Sequence, residues 1–173
     1  MAVNVAFDIL YREYYVRVFG LCRRLLNSAT LAEDASQETF MRVYRKFNRY
    51  DRSKPFWQWV SSIASNHCID LLRQKNRQDA LFGDEADEQE QMISPGDEPL
   101  GELINAENSK ILYPLIQALP DKFRVPLVLA YFNGSSYEEI GEDLSISRNH
   151  VGVLLLRAKQ QLRKSLVEKE TAA

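Results

Sequence analysis

The sequence predicts an all-α protein: two small helical domains joined by an acidic flexible linker, the C-terminal one carrying a helix-turn-helix. Three observations carry that prediction. No segment alternates apolar and polar residues with the period of a strand. Apolar residues recur instead at three- and four-residue steps. Charge is also partitioned: residues 1–78 hold 13 Lys/Arg and 7 Asp/Glu, residues 79–107 hold 10 Asp/Glu and no Lys or Arg, and residues 108–173 hold 9 against 7. The formal net charge of −2 therefore hides two mildly basic blocks around a polyanionic one.

In the first block, Phe7, Leu10, Tyr14 and Val18 begin a helical stripe that Leu21 and Leu25 continue, until Asn27-Ser28 breaks it. A second helix is expected from about Leu31 to Phe47, with Ala35, Phe40, Val43 and Tyr44 near one face. Its acids, Glu33, Asp34 and Glu38, precede its bases, Arg42, Arg45 and Lys46, as the helix dipole favours. Arg49–Pro55 reads as a loop whose proline can open the third helix. There Phe56, Val60, Ile63, His67 and Leu71 fall at helical spacing, with Trp57, Trp59, Ile69 and Leu72 nearby. Residues 79–107 carry Gly, Pro and acids without a sustained period and read as the linker. It is either a solvated spacer or a polyanionic strand that occupies a basic channel in a partner.

The segment 135–166 predicts two helices around a very short turn. Ser136 and Glu139 are spaced as a capping box, and Ile140 and Leu144 share a face with the small Gly141. Ser145-Ile146-Ser147 interrupts the pattern, with Ile146 as an apolar plug and Ser147 as the next N-cap. Val151, Leu154 and Leu155 continue the apolar face. This is the spacing of a helix-turn-helix, whose second helix enters a DNA major groove, or of an ordinary helical hairpin.

Several classes are excluded by composition. Cys22 and Cys68 are too few for a disulfide framework and lack metal spacing; each reads as a small buried apolar group. His67 and His150 have no ligand-spaced partners, so no metal and no cofactor is expected. Charges at Asp8, Arg12 and Glu13 argue against a signal peptide, and no run is apolar enough to span a membrane. An intracellular, cytoplasmic protein is expected. Nothing resembles a phosphate loop or a nucleophile paired with a base, so no enzyme is expected.

Tyr50, Phe56, Trp57 and Trp59 surround Arg49, Arg52 and Lys54. Aromatics beside cations suit single-stranded DNA, because an unstacked base wants a ring face and a phosphate wants a charge. Burial in the core is the competing reading for each ring.

Taken together, 33–51 (EDASQETFMRVYRKFNRYD), 55–77 (PFWQWVSSIASNHCIDLLRQKNR) and 118–162 resemble the extracytoplasmic-function, or group IV, sigma factors of bacterial RNA polymerase. The resemblance covers most of the chain, with the motifs in the family's order. It implies a transcription initiation factor that binds core polymerase, directs it to promoters and promotes melting. The implied domains are region 2 at 1–78, the linker at 79–107, and region 4 at 108–173. Asp34, Gln37, Glu38 and Phe40 match the part that docks on the clamp helices of the largest subunit; the polymerase flap is the other implied contact. Arg49, Tyr50, Arg52, Lys54, Phe56 and Trp57 match the element that captures a flipped minus-10 base, with Asn66, Arg73 and Arg77 on the following helix. Asp70 reads as structural, paired with Arg73. Ser147, Arg148, Asn149, His150, Arg157 and Lys159 are the implied minus-35 contacts. An anti-sigma factor is the further implied partner.

One departure from the family stands out. Its recognition helix often reads like TVKSRLxRAR, whereas this chain has HVGVLLLRAK, with Gly152 and Val153 in place of polar contacts. Weaker mid-helix readout is expected, with more weight on shape, phosphates or the polymerase. From another functional class, a stand-alone helix-turn-helix regulator is the alternative.

Overall fold

The computed structural model describes residues 2–76, 81–82 and 109–172. Helices carry the fold, and no strand occurs among the described residues. Two compact units are present, Met1–Lys75 and Asn76–Ala173. The expected linker lies outside the described residues except for Leu81 and Phe82.

The first unit contains α1 (Ala2–Leu26), α2 (Ala29–Lys46), a 3-10 turn (Phe47–Arg49) and α3 (Phe56–Lys75). The predicted break between α1 and α2 is present. Asn27 adopts a left-handed conformation (φ 53°), which its short side chain tolerates. Ser28 then caps α2, accepting from the Leu31 N–H at 3.2 Å.

Val18, Cys22 and Leu25 of α1 meet Ala32, Ala35 and Val43 of α2 and Val60, Ala64 and Cys68 of α3, all fully buried. Each large side chain removed from water contributes about 1.5–3 kcal/mol. The α3 stripe differs from expectation. Ile63, His67 and Leu71 are only half-buried, while Ala64, Ser65 and Cys68 occupy the centre. Small side chains sit where three helices crowd together, and the larger ones flank them. Buried hydroxyls on α2 are satisfied locally: Ser36 donates to Ala32 O at 2.6 Å and Thr39 to Ala35 O at 2.7 Å. Cys22 and Cys68 are free buried thiols, as expected, and their mutual hydrogen bond and burial push the Cys68 thiol up.

The second unit contains α4 (Ser109–Ala118), α5 (Asp121–Tyr131), α6 (Tyr137–Leu144) and α7 (Arg148–Thr171). Pro114 and Pro126 lie inside α4 and α5. Arg124 is buried, ion-paired with Asp121 and donating to Leu119 O at 2.9 Å. Leu127, Val128, Leu129, Ile140, Leu144, Val151, Leu154, Leu155 and Leu162 form the core.

The helix-turn-helix is built as its sequence implies. Ser136 accepts from Glu139 N–H at 3.1 Å and Ser147 from His150 N–H at 3.1 Å. Ser145 closes α6 in the left-handed region (φ 57°), and Ile146 N–H returns to Gly141 O at 3.0 Å.

Candidate nucleic-acid interface

Three surfaces carry the residues singled out by sequence. On the outer face of α2, Asp34 and Gln37 are exposed. Glu38 pairs with Arg42 at 3.0 Å, and the hydrogen bond from Arg42 holds its carboxyl below the usual range. Phe40 corrects the expectation: at 2% exposure it lies beneath this face, 4.9 Å from the Tyr11 ring. The apolar residue that does face solvent is Met41, 51% exposed and one turn beyond Gln37 and Glu38.

The loop between the 3-10 turn and α3 is pre-shaped. Asp51 accepts from the Ser53 N–H at 3.0 Å and hydroxyl at 2.6 Å, which hold its carboxyl below the usual range. Lys54 N–H reaches Asp51 O at 3.1 Å, and the Tyr50 hydroxyl donates to Lys54 O. This bracing leaves Arg49, Arg52 and Lys54 exposed. Beneath them the Tyr50 ring stacks on Trp59 (4.8 Å, 22°) and meets Phe56 edge-on at 5.7 Å.

Here too the sequence assignment needs a correction. Phe56 is 8% exposed and serves as the floor, while Trp57 stays half-exposed. Farther along α3, Asn66 is exposed. Arg73 lies 4.0 Å from Asp70, as expected, a long contact between exposed groups that contributes little. Arg77 lies outside the described residues.

At the start of α7, Arg148 and Asn149 are exposed beside the Ser147 cap. Arg148 pairs with Glu138 at 3.0 Å, both side chains 58% exposed, so the contact is easily exchanged for another anion. His150 departs from expectation. Its Nε2 lies 2.8 Å from Phe82 O, and Phe82 is itself buried, so one ring nitrogen is engaged within the unit while the residue stays half-exposed. Lys159 rests over the Tyr131 ring at 5.4 Å, and Arg157 is half-buried. Val153 is 5% exposed and belongs to the core. The departure from the family pattern therefore shrinks to Gly152, which borders Tyr137.

Asp143, on α6, is pushed up to about 6 by burial, reinforced by Glu139 and Glu142. A raised carboxyl favours the protonated folded state, so its charge lowers stability as pH rises from about 4 through 6. Asp143→Asn is expected to stabilise the C-terminal unit at pH 7.5 by about 1 kcal/mol, discounted for partial exposure. The gain should vanish below pH 4, and urea denaturation at both pH values checks it.

The sequence matches Sigma-70 region 2 over residues 10–78 and Sigma-70 region 4 over residues 109–162. It is 32% identical over 166 residues to the ECF RNA polymerase sigma factor SigW of Bacillus subtilis, covering 93% of this chain and 89% of the relative. The chain belongs to the extracytoplasmic-function group of the sigma-70 family. SigM of Bacillus subtilis, another ECF sigma factor, is 30% identical over 158 residues, 90% of this chain and 92% of SigM. The fold likeness extends to RpoE in complex with the anti-sigma factor NepR from Bartonella quintana (TM-score 0.62, 17% identity, 93% of this chain, 96% of the other). CnrH in complex with the cytosolic domain of CnrY gives TM-score 0.57 at 21% identity, with 95% and 90% covered.

As an ECF sigma factor, the protein is a transcription initiation factor that acts with core RNA polymerase at promoter DNA. Region 2 accompanying region 4 sets aside the stand-alone regulator. No described helix is long and apolar enough to cross a membrane, and no described His, Cys, Asp and Glu cluster could hold a metal. Two exposed residues had no signal in the sequence: Met41, hidden in a charged stretch, and Arg17 of α1, which lies over the Trp57 ring of α3.

Proposed function

We propose that residues 1–78 dock on the polymerase clamp helices and capture melted minus-10 DNA, that 79–107 tether the domains toward the polymerase channel, and that 108–173 read the minus-35 element beside the flap. Asp34, Gln37, Glu38 and the exposed Met41 form the docking stripe on α2. Arg49, Arg52 and Lys54 meet phosphates, Tyr50 and Trp57 shape the base pocket, and Phe56 supports it. Asn66, Arg73 and Arg77 extend the strand path along α3. Arg148 and Asn149 meet base edges, where Arg suits guanine and Asn adenine, while Arg157 and Lys159 meet phosphates. The protein works in the cytoplasm without catalytic chemistry of its own, and an anti-sigma factor silences it.

The observation that carries this reading is the braced loop, Tyr50 and Asp51 tying down a backbone that leaves its cations in solvent. Preformation matters because flipping a base costs a few kcal/mol, which the pocket must offset. Replacing Arg52 and Lys54 with Ala is expected to leave core binding intact and to lower permanganate reactivity of promoter thymines at least tenfold. Wild-type reactivity in that variant would remove the loop from the melting step.

A further inference from the structure

We propose that Arg17 of α1 is a phosphate-binding residue for the melted promoter strand, held in position by Trp57. The inference rests on the assignment of the loop to minus-10 DNA and extends that site to a helix with no assigned DNA contact.

The Arg17 guanidinium carbon lies 3.8 Å from the centroid of the Trp57 ring. Tyr14, one turn earlier on α1, is nearly parallel to Trp57 (6.4 Å, 14°) and lies 4.9 Å from Phe56. The α1 pair thus joins the aromatic floor beneath the loop. Lys54 is three residues before Trp57, so their Cα atoms are within about 11 Å. Arg17 adds a fourth cation to Arg49, Arg52 and Lys54 around one floor.

Two features separate this residue from a packing arginine. It is exposed, and none of the ion pairs among the described residues involves it. A guanidinium lying on an indole also keeps its N–H donors in its own plane, directed past the ring edge, where a phosphate can accept two at once. Trp57 therefore fixes the orientation of the fork and leaves its donors unused. A single strand crossing the floor would place a phosphate at that edge.

The test uses holoenzyme and a promoter bubble pre-melted over the minus-10 element, with affinity measured across salt concentrations. A cation that neutralises one single-strand phosphate contributes about 0.7 to the slope of log affinity against log salt. Arg17→Ala is expected to lower that slope by about 0.7, and Arg17→Lys to preserve it. Arg12→Ala, which removes the same charge from a position about 140° around α1, should leave it unchanged.

A loss of affinity equal at every salt concentration would mean that Arg17 only packs against Trp57, and would overturn the proposal. So would a slope reduction shared by Arg12→Ala, which would reflect net charge alone, or an unchanged slope. Failure of the wild-type holoenzyme to hold the bubble would sink the melting assignment itself, and the Arg17 proposal with it.

Discussion

Asp121→Ala is expected to destabilise the C-terminal unit by about 3 kcal/mol, the largest stability effect among the substitutions considered. Arg124 is 4% exposed at its side chain and Asp121 19%. Removing the carboxylate leaves a guanidinium that cannot shed its proton in a site that water barely reaches. Arg124→Met reverses the situation: an apolar chain of similar length fills the space, and water can still reach Asp121. Its cost should be about 1 kcal/mol, with the double variant close to it. Both tryptophans, Trp57 and Trp59, belong to the other unit, so indole fluorescence follows the N-terminal unit alone while far-UV dichroism follows both. The predicted change is an early dichroism transition with an unmoved fluorescence transition. Equal losses for Asp121→Ala and Arg124→Met would show that the pair is not what stabilises α5.

Gly141→Ala should be the most damaging single methyl group. A Cβ there would stand 2.8 Å from Ile146 O, a backbone atom of the turn, and 3.6 Å from Arg148 N. No side chain can rotate away to make room. The turn must open, which moves the first residues of α7 and costs about 1–3 kcal/mol, against roughly 1 kcal/mol gained in helix propensity. Promoter affinity that depends on the minus-35 element should fall at least tenfold. Gly152→Ala is the control, since its nearest neighbour would be Tyr137 Cε2 at 3.9 Å. That variant should keep its affinity and be stabilised by up to about 1 kcal/mol. Identical affinities for the two variants would show that the turn tolerates the displacement.

How much of this was legible in the sequence depended on the range of the interaction. The caps and turn of the helix-turn-helix were readable because their determinants are local: Ser136, Gly141, Ser145 and Ser147 each act within a few residues of themselves. The burial of Val153 was not, and for Phe40 and Phe56 the apolar stripes left both core and surface roles open, since whether a ring or a branched chain faces solvent depends on a helix remote in sequence. The contact of His150 was unreadable for the same reason, its partner Phe82 being 68 residues away. The α3 stripe misled differently: large side chains mark an apolar face, but the closest approach selected Ala64 and Cys68. Arg17 had no local signal, as Trp57 lies on another helix.

The division of labour along α7 has a consequence for how such a factor diversifies. Val151, Val153, Leu154, Leu155 and Ala158 anchor the helix, while Arg148 and Asn149 project from its first turn without core contacts. Surface exchanges of that kind change stability by about half a kcal/mol or less. Under the proposed base contacts of Arg148 and Asn149, one copy arising from gene duplication would alter its promoter preference by replacing two side chains while the scaffold that presents them is inherited intact.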